Sequence, residues 1–228
     1  MYRNIEILDK KKHENIKYEN ITTLQVAKNI GIVPLGIDEV FDMCCISPVI
    51  ISAGDTSEFI TLTGISPEVN IYNGGSKYMP KFLSTYPFLN VLVQDENKKL
   101  NTIIAIDNNL EIKEENKKNS VFTESGDLSK DADAKITLVR TLDRQREIGK
   151  RIIKELKEKE LLIKKDFRVK VKDEEKIVLK EFYVIDREKL VALDDATLAL
   201  WAKKGWMGIF DAHFKSLNNF EKVLVSAS

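Results

Sequence analysis

The stretch DADAKITLVRTLDRQREIGKRIIKELKEKELL, residues 131–162, carries the strongest periodic pattern in the chain. Its apolar side chains recur at steps of three and four with charged side chains between them; they are Ile136, Val139, Leu142, Ile148, Ile152, Ile153 and Leu156. This spacing is typical of an amphipathic α-helix. We therefore predict one long helix whose apolar face packs against the rest of the protein.

The sequence that follows this helix predicts a β-hairpin and then a pair of helices. Residues 167–171 and 177–185 have the length and composition of two strands, and a short charged segment joins them. Asp194 or Asp195 can cap the next helix through its carboxylate, and Gly205 then breaks the chain. The second helix shows a mainly apolar face made of Trp206, Ile209, Phe210, His213, Phe214 and Leu217.

The sequence that precedes the long helix is richer in β-structure. Short apolar runs bounded by turn residues predict strands at 48–53, 58–64, 88–94 and 101–107. Two short helices are predicted within this region, at 37–45 and at 80–85. Residues 113–130 are charged and polar, and they read as a solvated loop or linker.

Together these patterns predict the α+β class. A β-rich N-terminal region, residues 1–112, precedes the linker at 113–130, and a mainly helical region follows at 131–228. We expect the long helix, the hairpin and the C-terminal helix pair to pack on the β-rich region as one composite domain. A chain of 228 residues is long enough to bury a core without help from disulfides or metal ions.

The overall charge argues against nucleic acid as a partner. The 36 basic side chains are balanced by 36 acidic ones. A neutral chain lacks the excess of cations that drives nonspecific binding to nucleic acid or to anionic membranes. The outward face of the last predicted helix, with one anion and one cation, is also unsuited to phosphate contact.

Compartment is predicted from the cysteines and from hydropathy. Cys44 and Cys45 are the only cysteines, and adjacent cysteines rarely meet disulfide geometry, so we expect reduced, buried structural thiols. The N-terminus has acidic residues where a signal peptide has its apolar core. No apolar run approaches the length of about 20 residues that a membrane span needs. The expected location is the cytoplasm, without membrane insertion.

Several short motifs, taken in order, resemble the SapC family of bacterial surface-layer-associated proteins. They begin with Val33-Pro34-Leu35 and Ser47-Pro48-Val49-Ile50, and they end with Gly205-Trp206-Met207 and Ala212-His213-Phe214. Between these lie Leu62-Thr63-Gly64, Asn70-Ile71-Tyr72, Tyr78-Met79-Pro80, Tyr86-Pro87-Phe88 and Ile106-Asp107. The likeness runs from about residue 24 to residue 223. The chain departs from it at Ser47, where an aromatic residue is common, and in the unusually charged stretch 113–119.

The resemblance implies a link to bacterial surface layers and their secretion loci, with a surface or secreted protein as the partner. It implies no reaction, cofactor or catalytic residue. We therefore expect no cofactor.

His213 is the first candidate for chemistry. On a largely apolar helix face it is either a general base, assisted by Glu39 or Asp107, or a core histidine held by a hydrogen bond. The core interpretation is favoured, because a histidine on such a face is more often structural. His13 is the only other histidine, and two isolated histidines do not predict a zinc site.

Aromatic residues around glycine and proline form the second candidate site. These residues, Tyr72, Tyr78, Tyr86 and Phe88, would line a binding pocket if the loops that carry them lie together. Ordinary packing is the alternative. Gly74-Gly75-Ser76-Lys77 lacks the spacing of a phosphate-binding loop and is interpreted as a turn.

Two hypotheses for function follow. The first is a non-enzymatic accessory or binding protein of the cytoplasm that serves a surface-protein system. The second is an enzyme that modifies a peptide or a surface component with His213 as general base. The position of His213, enclosed or at the base of a cleft, separates them.

Overall fold

The computed structural model describes residues 2–19, 25–66, 69–72, 78–108, 118–171 and 174–225. The strands in these ranges are β1 (Ile5–Ile7), β2 (Lys17–Tyr18), β3 (Ile32–Pro34), β4 (Val49–Ser52), β5 (Phe59–Leu62), β6 (Phe88–Gln94), β7 (Leu100–Asp107), β8 (Asn119–Ser120), β9 (Leu162–Val171) and β10 (Glu174–Ile185). The α-helices are α1 (Lys10–His13), α2 (Val40–Met43), α3 (Lys81–Ser84), α4 (Lys130–Glu158), α5 (Arg187–Val191), α6 (Asp195–Lys203), α7 (Trp206–Ser216) and α8 (Phe220–Val225). Short 3₁₀ helices occupy Gln25–Asn29, Ile37–Glu39 and Leu217–Asn219.

The predicted α+β class is confirmed. The long helix is α4, the hairpin is β9 and β10, and the C-terminal helix pair is α6 and α7. Asp194 caps α6 by accepting a hydrogen bond from the Thr197 N–H at 2.9 Å. Gly205 has a φ of +75°, a left-handed conformation that glycine adopts without strain, and it turns the chain into α7.

The described chain divides into two compact units. The first unit comprises Met1–Ala27 and Met79–Arg144, and the second comprises Lys28–Tyr78 and Gln145–Ser228. Each unit thus draws on sequence from both sides of the expected linker at 113–130. The expectation of one composite domain stays a prediction.

Part of the expected linker lies outside the described residues. The described part, 118–130, contains β8, which pairs antiparallel with β2. It also contains Val121, which is fully buried, and Phe122, which is nearly so. This end of the segment therefore contributes side chains to a core.

The first unit is built on a three-stranded antiparallel sheet with the order β1-β7-β6. The long β6–β7 hairpin runs in register from Phe88 opposite Ile106 to Gln94 opposite Leu100. Its core contains Tyr18, Phe88 and Ile106, together with apolar side chains from the first half of α4. The strands predicted at 88–94 and 101–107 thus pair as one hairpin, in which Phe88 and Ile106 are fully buried.

The second unit is built on a five-stranded antiparallel sheet with the order β3-β5-β4-β10-β9. Because side chains alternate along a strand, each strand contributes to both faces. Val49, Ile51 and Phe59 face the main core of the unit. That core also contains apolar side chains from the second half of α4 and from the C-terminal helices, including Ile152, Ile153, Leu156, Trp201 and Phe210.

The opposite face of this sheet carries a smaller apolar cluster. Ile50, Ile60, Phe182 and Val184 form it, and aromatic and aliphatic side chains that include Phe167 and Phe220 pack against it. The Phe167 and Phe220 rings lie 4.6 Å apart between centroids. We call this face the outer face of the sheet.

Candidate functional site

His213 is enclosed in the second unit, and backbone groups hold both of its ring nitrogens. Nδ1 lies 2.7 Å from the Val49 carbonyl oxygen. Nε2 accepts a hydrogen bond from the Ile185 N–H at 3.1 Å. This pattern requires the neutral tautomer with its proton on Nδ1. Burial lowers the pKa of His213 to about 4, so the ring is uncharged at neutral pH.

The imidazole continues the pairing of two strands. β4 and β10 pair directly at Ser52 opposite Phe182 and at Ile51 opposite Tyr183. The same register would place Val49 opposite Ile185, the two residues whose backbone groups the imidazole engages. The His213 side chain therefore replaces the direct backbone hydrogen bonds between β4 and β10 at this position. This is a structural role.

The two acids considered as partners of His213 lie on other elements of the chain. Glu39 is the last residue of the 3₁₀ segment Ile37–Glu39 in the second unit, and Asp107 ends β7 in the first unit. The hydrogen bonds of His213 described above both go to backbone atoms. A general-base role for His213 stays a prediction, and it would require the ring to leave these partners.

Glu39 is instead brought together with two of the predicted tyrosines. The Tyr78 hydroxyl donates to Glu39 Oε1 at 3.1 Å, and the Gly36 N–H donates to Oε2 at 2.9 Å. The carboxylate is only 1% exposed. Burial, and then the Glu39 charge, raise the pKa of both Tyr78 and Tyr72. Both hydroxyls therefore stay protonated at neutral pH and do not serve as bases.

The Tyr72 hydroxyl differs from that of Tyr78. It is buried, and it meets no hydrogen-bond partner in the structure of the described residues. A buried hydroxyl without a partner loses its hydration and gains nothing in return. Within this cluster Tyr78 thus stabilises Glu39, whereas the Tyr72 hydroxyl does not.

The other two predicted aromatic residues belong to the first unit. The Tyr86 hydroxyl hydrogen-bonds Asp107, and burial is the main reason that its pKa is raised. Asp107 also accepts the N–H groups of Arg3 and Asn4, at 3.3 and 3.0 Å. Phe88 is fully buried in the core. The four predicted pocket residues are therefore divided between the two units, two in each.

An open groove on the outer face of the five-stranded sheet is a concave site that the sequence did not predict. It has a volume of about 890 Å³. Its apolar lining includes Ile32 and Pro34 of β3, Ile60 of β5, and Leu179 and Phe182 of β10. Ile32 is 42% exposed, so part of this lining is open to solvent. The sequence predicted strands at 58–64 and 177–185, which contain Ile60, Leu179 and Phe182, but it gave no signal for β3 or for the pairing that forms the groove.

Charged side chains of the groove lining are held by ion pairs. Glu58 Oε2 lies 2.7 Å from an Arg146 guanidinium nitrogen. Glu181 Oε1 lies 2.7 Å from Lys164 Nζ. Each of these two acids is paired with a cation, and the remaining charged residues of the lining, Asp166 and Lys180, have opposite signs, so the groove has no strong charge of either sign.

A β-bulge shapes one side of the groove. The register of β9 against β10 shifts between Leu179 and Phe182, and Glu181 there has a φ of +52°. Asp166 accepts the Glu181 N–H at 2.9 Å, and this bond is the main reason that the pKa of Asp166 is lowered. Left-handed backbone at a non-glycine residue is unusual and commonly marks a bulge or a functional site.

A comparison with models of known protein families shows which family this chain belongs to. A family model described as SapC matches residues 8–223. The chain belongs to the SapC family. The resemblance carried by the ordered short motifs is thereby confirmed for this SapC-family chain. Neither a search of curated proteins nor a search of solved structures found a match.

Two further properties concern the described residues of this SapC-family chain. None of their helices has the length and hydrophobicity that crossing a bilayer requires. In the same ranges, His, Cys, Asp and Glu side chains do not come together in groups of three that would hold a metal ion.

Proposed function

We propose that this SapC-family chain is a non-enzymatic binding protein of the cytoplasm that serves a bacterial surface-protein system. In this proposal the groove on the outer face of the sheet holds an apolar segment of a surface or secreted partner. The observation that carries the proposal is the groove itself, an open, preformed concavity with an apolar lining.

The geometry of the groove favours a binding function over a catalytic one. Binding clefts commonly combine an apolar lining with a few polar groups that fix orientation, and their volumes are about 300–1,000 Å³. The polar groups here include Glu58 and Glu181, each already in an ion pair. Because each carboxylate already has a cationic partner, it can orient a ligand by hydrogen bonding and does not require a charged ligand. We therefore expect the bound segment to be mainly apolar.

The alternative function, an enzyme with His213 as general base, has less support. A general base must reach the proton it removes. His213 is fully buried, and both of its nitrogens are engaged by backbone groups. The link to a surface-protein system rests on family membership, and the groove supplies the means of binding.

The test is a pull-down with a groove variant and a matched control. Ile32→Lys places a charge in the groove lining, and Leu200→Lys places one on α6, where Leu200 is 50% exposed and outside the groove. We expect quantitative mass spectrometry to find a surface or secretion protein with wild type and with Leu200→Lys, but not with Ile32→Lys. A partner retained equally by Ile32→Lys, or no reproducible partner, would contradict the proposal.

A further inference from the structure

Cys44 and Cys45 lie in the turn that follows α2, and their environments differ. Cys44 is 6% exposed, whereas Cys45 is exposed. The two sulfur atoms are 3.8 Å apart. The sequence pattern favoured two buried structural cysteines, but this holds only for Cys44. The exposure of Cys45 makes its thiol available to reagents in solution.

The C-terminal helices place cations at this turn. Lys215 Nζ, from α7, lies 3.4 Å from the Cys45 sulfur. Lys222 Nζ, from α8, donates to the Cys45 carbonyl oxygen at 3.3 Å. Asn219 also donates through Nδ2 to the Cys44 carbonyl oxygen at 2.8 Å. Side chains of α7 and α8 therefore both contact this turn, and the Lys215 ammonium group contacts the Cys45 thiol.

The two thiols ionise differently for physical reasons. The contact with the Cys44 thiol, and then the hydrogen bond from Lys215, lower the pKa of Cys45. Burial raises the pKa of Cys44. A thiolate is the reactive form of cysteine, and nearby cations are a common cause of thiolate character. The Cys45 thiol is thus accessible and reactive, whereas the neighbouring Cys44 thiol is buried and less reactive.

We propose that Cys45 is a modification site that exchanges with low-molecular-weight disulfides, and that Cys44 does not become its disulfide partner. The proposal is independent of the groove, and nothing in it requires the groove to bind a partner. Its ligand class is a small disulfide of the glutathione type.

The step balances without any further oxidant. The Cys45 thiolate attacks one sulfur of the small disulfide R–S–S–R and forms a new S–S bond to it. The original S–S bond breaks, and its electron pair leaves with the second sulfur as R–S⁻, which takes a proton from water. The products are one mixed disulfide on Cys45 and one small thiol.

Cys44 is poorly placed to displace the mixed disulfide. Adjacent Cα atoms are about 3.8 Å apart across a trans peptide bond, whereas disulfide-bonded cysteines have Cα atoms about 4.4–6.8 Å apart. Cys44 also has helical backbone angles, with φ −60° and ψ −20°. Its thiol donates to the Phe41 carbonyl oxygen at 3.0 Å. The mixed disulfide on Cys45 should therefore persist.

The experiment treats the full chain with glutathione disulfide and follows intact mass, and peptide mapping then locates the adduct. We expect one adduct per chain, on Cys45, and none in Cys45→Ser. The rate of reaction against pH should have its midpoint below about 8.5, the ordinary value for a cysteine thiol. An adduct that maps mainly to Cys44, or a midpoint at or above the ordinary value, would overturn the proposal.

Lys215→Met and Lys203→Met form a matched pair for the electrostatic step. Both remove an exposed lysine charge from a C-terminal helix, but only Lys215 contacts the Cys45 sulfur. We expect Lys215→Met to raise the midpoint of the pH–rate profile, and a rise of one pH unit lowers the thiolate fraction at neutral pH about tenfold. Lys203→Met should match wild type. Equal profiles for the three proteins would refute the role of Lys215.

Discussion

The imidazole of His213 joins the Val49 carbonyl oxygen to the Ile185 N–H, with distances of 2.7 and 3.1 Å. These two backbone groups belong to β4 and β10, and the register of those strands would set Val49 opposite Ile185. A side chain thus bridges neighbouring strands inside the core. The bridge works only while the ring is neutral, because a protonated imidazole cannot accept the Ile185 N–H.

Protonation of His213 should therefore make stability depend on pH. Burial lowers the pKa of His213 to about 4 in the folded chain, whereas the unfolded chain keeps the ordinary value of about 6.5. Between these values the unfolded state binds more protons, so the free energy of unfolding falls as pH falls from about 6.5 to about 4. The full effect is about 3 kcal/mol, since each pKa unit corresponds to about 1.4 kcal/mol. Urea unfolding across this pH range measures it.

Carboxylates titrate in part of the same pH range. A comparison of wild type with a His213 variant therefore shows whether His213 causes the pH dependence of stability. His213→Gln should lose the part of the pH dependence described above, and it should cost about 1–3 kcal/mol at neutral pH by disturbing buried backbone partners. Wild type is the reference for this comparison. If His213→Gln keeps the wild-type slope between pH about 4 and about 6.5, His213 is not the titrating group.

Tyr78 and Tyr72 offer a matched comparison at one buried carboxylate. Tyr78→Phe removes the hydroxyl that donates to Glu39 and should destabilise the fold by about 1–2 kcal/mol. Tyr72→Phe removes a buried hydroxyl that has no partner among the described residues. It should therefore be neutral or stabilise by up to about 1 kcal/mol. Thermal or urea unfolding ranks the two variants, and a larger loss for Tyr72→Phe would contradict this account of the cluster.

Much of the fold could be predicted because its signals are local. The helix at Lys130–Glu158 has a clear helical period, and the hairpin strands at Phe88–Gln94 and Leu100–Asp107 are short apolar runs with turn residues near their ends. The strands Ile5–Ile7 and Ile32–Pro34 could not be recognised, since three residues carry no measurable period. Their existence depends on distant partners, such as Asp107 for Ile5.

The candidate site was less predictable because it depends on contacts between distant residues. Glu39 and Tyr78 were both named from the sequence, but nothing in their spacing pairs them. The reactive environment of Cys45 depends on Lys215, which lies 170 residues away. The division of the long helix between two units, after Arg144, is also a property of long-range packing. The periodicity of a sequence indicates which face of a helix or strand is buried. It does not indicate which other element packs against that face.

The left-handed backbone at Glu181 should cost stability. A residue with a side chain is strained at a φ of +52°, and glycine is not. Glu181→Gly should therefore leave the free energy of unfolding unchanged or raise it by up to about 1 kcal/mol. Lys180→Gly is the control at the neighbouring position, where φ is not positive, and it should destabilise by about 0.5–1 kcal/mol. Urea unfolding of both variants tests whether the bulge is strained, and equal losses would show that it is not.

Asp107 should hold the N-terminal strand of the first unit in place. Its carboxylate accepts the N–H groups of Arg3 and Asn4, and it is 1% exposed. Asp107→Ala leaves these donors without their acceptor, so we expect a loss of about 2–3 kcal/mol. Hydrogen exchange should increase in β1 and in the residues just before it. Asp133→Ala, at an exposed position of α4, should change neither quantity. Exchange that stays slow near Arg3 in Asp107→Ala would mean that pairing with β7 alone holds the strand.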